Sequence, residues 1–118
     1  MEERKIKEIW ETYRACWSQT IKLDRDNRLQ EIISEDFEYY DPNIVLEGYQ
    51  KLSDYMTEFQ KAFSGCTFTI TAFSIHHDRS LAQWDMLSPN NEVVGNGSDF
   101  AFYANGKLKT ISSFFKEG

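Results

Sequence analysis

Residues 67–115 read TFTITAFSIHHDRSLAQWDMLSPNNEVVGNGSDFAFYANGKLKTISSFF, and this stretch decides the fold. Phe68, Ile70 and Ala72 alternate with Thr67, Thr69 and Thr71, the period of a strand with one face on a core. Phe73 and Ile75 continue the apolar series out of phase, which predicts a bulge or strong bend. His76-His77-Asp78-Arg79 predicts a turn, Leu81–Leu87 a second strand, and Ser88-Pro89-Asn90-Asn91 another turn. Glu92–Tyr103 reads as a long third strand, and Gly95 and Gly97 within it permit tight bending. Asn105-Gly106 signals a hairpin, after which Lys107–Phe115 closes the sheet. Strands joined by connections this short are antiparallel neighbours.

Upstream the period changes. Ile6, Ile9, Trp10, Tyr13, Trp17 and Ile21 recur every three or four residues, one apolar face of a helix that fades near Leu23. Glu2, Glu3 and Glu8 near its start suit the helix dipole. Asp24 or Asp26 can cap a shorter second helix containing Leu29, Ile32 and Ile33. Phe37–Tyr40 has strand propensity and stops at Asp41-Pro42; a loop then reaches Gly48. Leu52, Tyr55, Met56, Phe59 and Phe63 mark a third helix, with Ser64-Gly65 as its stop. Residues 1–118 therefore read as a single α+β domain, with three helices covering the concave face of a curved antiparallel sheet. Helices that close the concavity only in part leave a conical pocket lined by alternate strand residues and the first helix.

The chain has 118 residues, enough to bury a core without staples. Its net charge of −6 repels a phosphate backbone, and the basic Arg4-Lys5-Ile6-Lys7 is flanked by Glu2, Glu3 and Glu8, so no nucleic-acid partner is expected. No apolar run approaches the ~20 residues that span a bilayer. No signal-peptide core follows Met1-Glu2-Glu3-Arg4-Lys5, and a cytoplasmic protein away from the membrane is expected. Cys16 and Cys66 lack zinc-ligand spacing and read as reduced thiols. His76 and His77 beside Asp78 lack further ligands at useful spacing and read as a solvated turn. There is no Gly-rich phosphate loop. No metal and no cofactor are expected.

Aromatic residues make up 15% of the chain, more than a small core requires. If Asp99 points inward, so do Gly97, Ala101 and Tyr103, while Phe100 and Phe102 lie on the convex face. Two such rings in the open predict a homodimer across that face. The opposite register buries both rings and leaves Asp99 in water. Tyr40, Met56, Phe59 and Trp84 read as core first and pocket wall second; Trp17 lies further along the first helix, where it can floor the pocket.

Tyr40-Asp41-Pro42, then Glu47-Gly48 and the helix after it, resemble the nuclear transport factor 2-like superfamily, and within it the SnoaL-like and ketosteroid isomerase branch. Gly97-Ser98-Asp99-Phe100, then Asn105-Gly106-Lys107-Leu108, add a second match, and Trp84 on the middle strand is usual there. The resemblance spans about Trp10 to Phe115. It implies a cone-shaped, cystatin-like α+β barrel that commonly dimerises through its sheet. It also implies a general base at Asp41 and an oxyanion-binding second acid at Asp99. Counting back places the family's helix tyrosine on Trp17, with Tyr13, a phenol donor, one turn earlier.

Two functions follow as expectations. One is a cofactor-independent isomerase, cyclase or dehydratase, with Asp41 and Asp99 acting on a small apolar carbonyl compound. The other is a non-catalytic binding module for a hydrophobic small molecule or a protein partner. Asp before Pro is also an ordinary turn residue, and Asp99 can equally be a structural hydrogen-bond acceptor.

Overall fold

The phase slip after Ile70 is a bulge: in a computed structural model describing residues 1–115, the third strand changes register with its neighbour between Ile70 and Ala72. The elements are α1 (Glu3–Cys16), α2 (Lys22–Ile32), β1 (Ile33–Asp41), β2 (Ile44–Glu47), α3 (Gly48–Ala62), β3 (Thr67–His76), β4 (Arg79–Leu87), β5 (Val93–Ala104) and β6 (Lys107–Phe115). Three helices precede most of a six-stranded sheet of order β2-β1-β6-β5-β4-β3. This is the α+β architecture expected.

The hairpins form where the turn chemistry demands. His77 and Asp78 take φ of 47° and 58°, and Asn105 and Gly106 take 54° and 77°. Left-handed pairs of this kind twist with the strands they join. On β5, Asp99, Ala101 and Tyr103 are buried, while Phe100 between them is 40% exposed.

Several expectations need correction. The sheet is mixed rather than antiparallel, because β1 runs parallel to β6. The loop expected before Gly48 contains β2, which folds back on β1. Helix α1 ends at Cys16 rather than near Leu23. Trp17, Ser18 and Gln19 donate backbone hydrogen bonds to residues three back, a tightened turn that closes it. Ile21 therefore leaves the apolar face and is 58% exposed. Helix α2 begins after Ile21 with no side-chain cap, so neither Asp24 nor Asp26 serves as one. Ile33 opens β1 instead of ending α2.

The core lies between helices and sheet. Ile6, Ile9, Leu29, Leu52, Phe37 and Ile111 are almost wholly buried within it. Met56 and Ala101 belong to this core and do not line the cavity described below. Tyr40 is 38% exposed and is likewise absent from the cavity wall.

Candidate functional site

Glycine at position 97 creates the first feature of the site. A Cβ there would lie 2.5 Å from Cζ2 of Trp84 and 2.5 Å from the Phe114 carbonyl oxygen. Gly97 and Trp84 are paired across β5 and β4, so the indole lies over the glycine. Its Nε1 donates to Oδ1 of Asp99 at 3.0 Å. Ser113, opposite Asp99 on β6, donates to the same oxygen at 2.6 Å. Burial raises the Asp99 pKa from 3.8 to about 6. The Ser113 and Trp84 bonds oppose that shift, and the nearby Asp41 charge adds to it.

Asp41 ends β1, where its two oxygens have separate partners. Oδ1 accepts the backbone N–H groups of Asn43 and Ile44 at 2.7 and 3.1 Å, which shapes the turn into β2. Oδ2 accepts the hydroxyls of Tyr39 and Tyr55, each at 2.8 Å. The turn reading and the cavity reading of Asp41 are thus both present, one per oxygen.

Asp41 and Asp99 line one cavity of about 680 Å³. Its walls are mainly aromatic, with Trp17, Tyr55, Phe59, Phe68 and Trp84 among them. Phe63 and Val94, about half exposed, also belong to it and mark where it meets solvent. Helix α1 contributes Trp10 and Tyr13, both almost wholly buried. The Trp17 indole N–H stands near the Tyr13 hydroxyl oxygen and favours the phenolate, but among the described residues the Tyr13 O–H finds no acceptor. Burial, and next the Asp99 charge, push the Tyr13 phenol well above its ordinary pKa, so it keeps its proton.

A family model described as the SnoaL-like domain matches residues 7–111. The chain belongs to that family. Among curated proteins none matches in sequence. Solved structures show the fold. A SnoaL-like family protein from Agrobacterium tumefaciens strain C58, provisionally named an isomerase, superposes with a TM-score of 0.89 at 22% identity over 97% of this chain and 99% of that one. A cystatin-like protein of unknown function from Methylobium petroleophilum PM1 gives 0.80 at 12% identity, covering 100% and 80%. A SnoaL-like protein from Jannaschia sp. CCS1, provisionally named a polyketide cyclase, gives 0.72 at 12% identity, covering 93% and 86%.

In this SnoaL-like domain both Tyr13, on α1, and Trp17, just after it, line the cavity, and of the two only Tyr13 carries a phenol. Trp17 is the C-cap of α1 and packs edge-on to Phe59, Tyr55 and Phe68, with ring centroids 5.3, 6.1 and 6.4 Å away. It forms an aromatic wall, with its N–H near the Tyr13 hydroxyl. Phe59 and Trp84 line the cavity, Trp84 with the added bond to Asp99. Sequence reasoning missed Tyr39, Tyr55, Ser113 and Trp10 as site residues. Tyr39 had a signal: it shares a strand face with buried Phe37, whereas Tyr40 falls on the other.

The charges at the cavity are mostly acidic. Asp41, Asp99 and Glu58 line it, and its cation, Arg14, is tied to Glu11 at 2.7 Å and to the Phe68 carbonyl at 3.2 Å. Among the described residues no cluster of three or more His, Cys, Asp or Glu side chains suits a metal ion. Nor is any helix long and apolar enough to cross a membrane.

Proposed function

We propose that this SnoaL-like domain catalyses cofactor-independent proton transfer at carbon next to a carbonyl group, on a small apolar compound. The supporting observation is the buried Tyr13 O–H, which has no acceptor among the described residues, in a cavity that also holds Asp41 and Asp99. A buried donor without a partner costs stability, and a ligand oxygen relieves that cost. Asp41 takes the carbon-bound proton onto Oδ2, displacing one tyrosine hydroxyl. The C–H electron pair moves to the carbonyl oxygen. Tyr13 and protonated Asp99 donate hydrogen bonds to that developing oxyanion. Return of the proton to a different carbon completes an isomerisation. Because Asp99 releases its proton near pH 6, the rate falls as pH rises through about 6.

One observation favours the binding-module reading instead. Asp41 already accepts four hydrogen bonds, which fill the lone-pair sites of a carboxylate. The two readings separate on 2-tetralone, whose carbon next to the carbonyl is readily deprotonated. The catalytic reading expects the protein to accelerate hydrogen–deuterium exchange at that carbon, followed by NMR in D₂O. Asp41→Asn should remove roughly 10²–10⁴-fold of the acceleration. Tight binding of 2-tetralone with exchange no faster than in buffer would leave only the binding module.

A further inference from the structure

Beside the Tyr13 O–H, Nε1 of Trp10 is the other buried side-chain donor without an acceptor among the described residues. Trp10 is 2% exposed and lines the same cavity. It stands three residues before Tyr13 on α1, so both side chains leave the same helix face. Neighbouring rings do not satisfy the indole N–H. Trp10 is tilted 37° to Tyr13 at 5.1 Å and 29° to Phe73 at 6.1 Å. An in-plane N–H meets a ring face squarely only when the two rings are near perpendicular. An indole nitrogen can only donate, so what completes it must accept.

We infer that Trp10 Nε1 is a second ligand-anchoring point, and that the ligand is an apolar ring compound with two acceptor oxygens. One oxygen is the carbonyl at Tyr13 and Asp99. The other, a hydroxyl or carbonyl, takes the hydrogen bond from Trp10. This inference rests on the proposed role of Tyr13 and Asp99, and it narrows the substrate from any apolar ketone to a dioxygenated one.

The test compares 2-tetralone with its 5-, 6-, 7- and 8-hydroxy derivatives, titrated against the whole chain by tryptophan fluorescence. At least one derivative should bind about tenfold more tightly than 2-tetralone, the scale of one hydrogen bond. Trp10→Phe, which keeps a ring and removes the N–H, should bring that preference close to one. The same variant should melt no lower than wild type, since it removes an unsatisfied buried donor; a merely structural indole would show the reverse. Absence of any preference in wild type, or its survival in Trp10→Phe, would overturn the inference. If 2-tetralone binds and exchanges but no hydroxy derivative is preferred, only the Trp10 assignment falls. If no tetralone binds, that assignment and the catalytic reading fall together.

Discussion

Asp99 is an acid kept where an acid is expensive. It is 7% exposed, and two donors, Trp84 and Ser113, converge on one of its oxygens. Its pKa is 3.8 when unperturbed and about 6 in the fold, so the folded state holds the proton more tightly than the unfolded chain does. The associated stability is complete below pH 3.8 and is lost as pH rises through about 6. The difference of about two pKa units amounts to about 3 kcal/mol by pH 8. Asp99→Asn keeps an amide oxygen for Ser113 and Trp84 and has no charge to bury. Urea denaturation from pH 4 to 8 should therefore show a flatter profile for Asp99→Asn and greater stability than wild type at pH 8; parallel profiles would show that the carboxyl is not strained. The position of Asp99 was legible, because Asp in mid-strand two residues after Gly asks for a reason, and Trp84 lying over Gly97 supplies it. The phenol was not. Counting back from Asp41 crosses residues 17–21, between α1 and α2, whose length a motif does not fix. Nor can a sequence show that the Tyr13 O–H lacks an acceptor, which depends on every neighbour at once.

Among the elements, α2 depends most on one side chain. Leu29 and Ile32 are buried, but Leu23 is 69% exposed, so its apolar stripe is short. The wholly buried Arg25 compensates. Its Nε donates to Ser53 Oγ at 2.9 Å. Nη1 donates to the Gln19 carbonyl at 2.7 Å and to Gln60 Oε1 at 3.3 Å. Nη2 donates to the Ser53 carbonyl at 3.0 Å and to Thr57 Oγ1. All the guanidinium N–H groups are thereby used, and the segment after α1 is tied to α2 and α3. Lysine brings the same charge on a compact ammonium that cannot reproduce this fork. Arg25→Lys should cost about 2–4 kcal/mol in urea denaturation. The amides of α2 should lose hydrogen-exchange protection before those of β5; unchanged protection in α2 would refute the clamp. No local pattern announced it, since a lone Arg on a charged helix reads as solvated. The elements that were legible, α3 and β3 to β6, carry clear periods with turn residues at their ends, and the one phase slip, in β3, marks its bulge. At Ile32-Ile33 an apolar pair fits either period, and β2 is four residues long. The parallel pairing of β1 with β6 joins segments far apart in the chain, which no local pattern encodes.

At the scale of the whole molecule, a charge of −6 should keep two copies apart, yet one row across the outer face of the sheet offers them an uncharged meeting place. Val45, Tyr40, Ser112, Phe100, Leu81 and Ser74 follow one another in register across all six strands, and none is charged at neutral pH. Val45 is 60% exposed, Leu81 43% and Phe100 40%, with Phe114 at 63% nearby. Such a row can meet itself across a two-fold axis without opposing like charges. We propose a homodimer through this face, led by Phe100. Phe102 contributes less, because Arg79 already covers its ring at 5.0 Å. Sedimentation equilibrium should show a dimer for the wild type and a folded monomer for Phe100→Asp, with Phe102→Asp weakening the dimer less. A wild type that stays monomeric at high concentration, or a dimer that survives Phe100→Asp, would end the proposal. Phe100 follows Asp99 on β5 and points to the opposite side of the sheet. A dimer would thus clamp, from outside, the same strand backbone that holds the acid in the cavity, so the Phe100→Asp monomer should also bind 2-tetralone more weakly without any contact to it having changed.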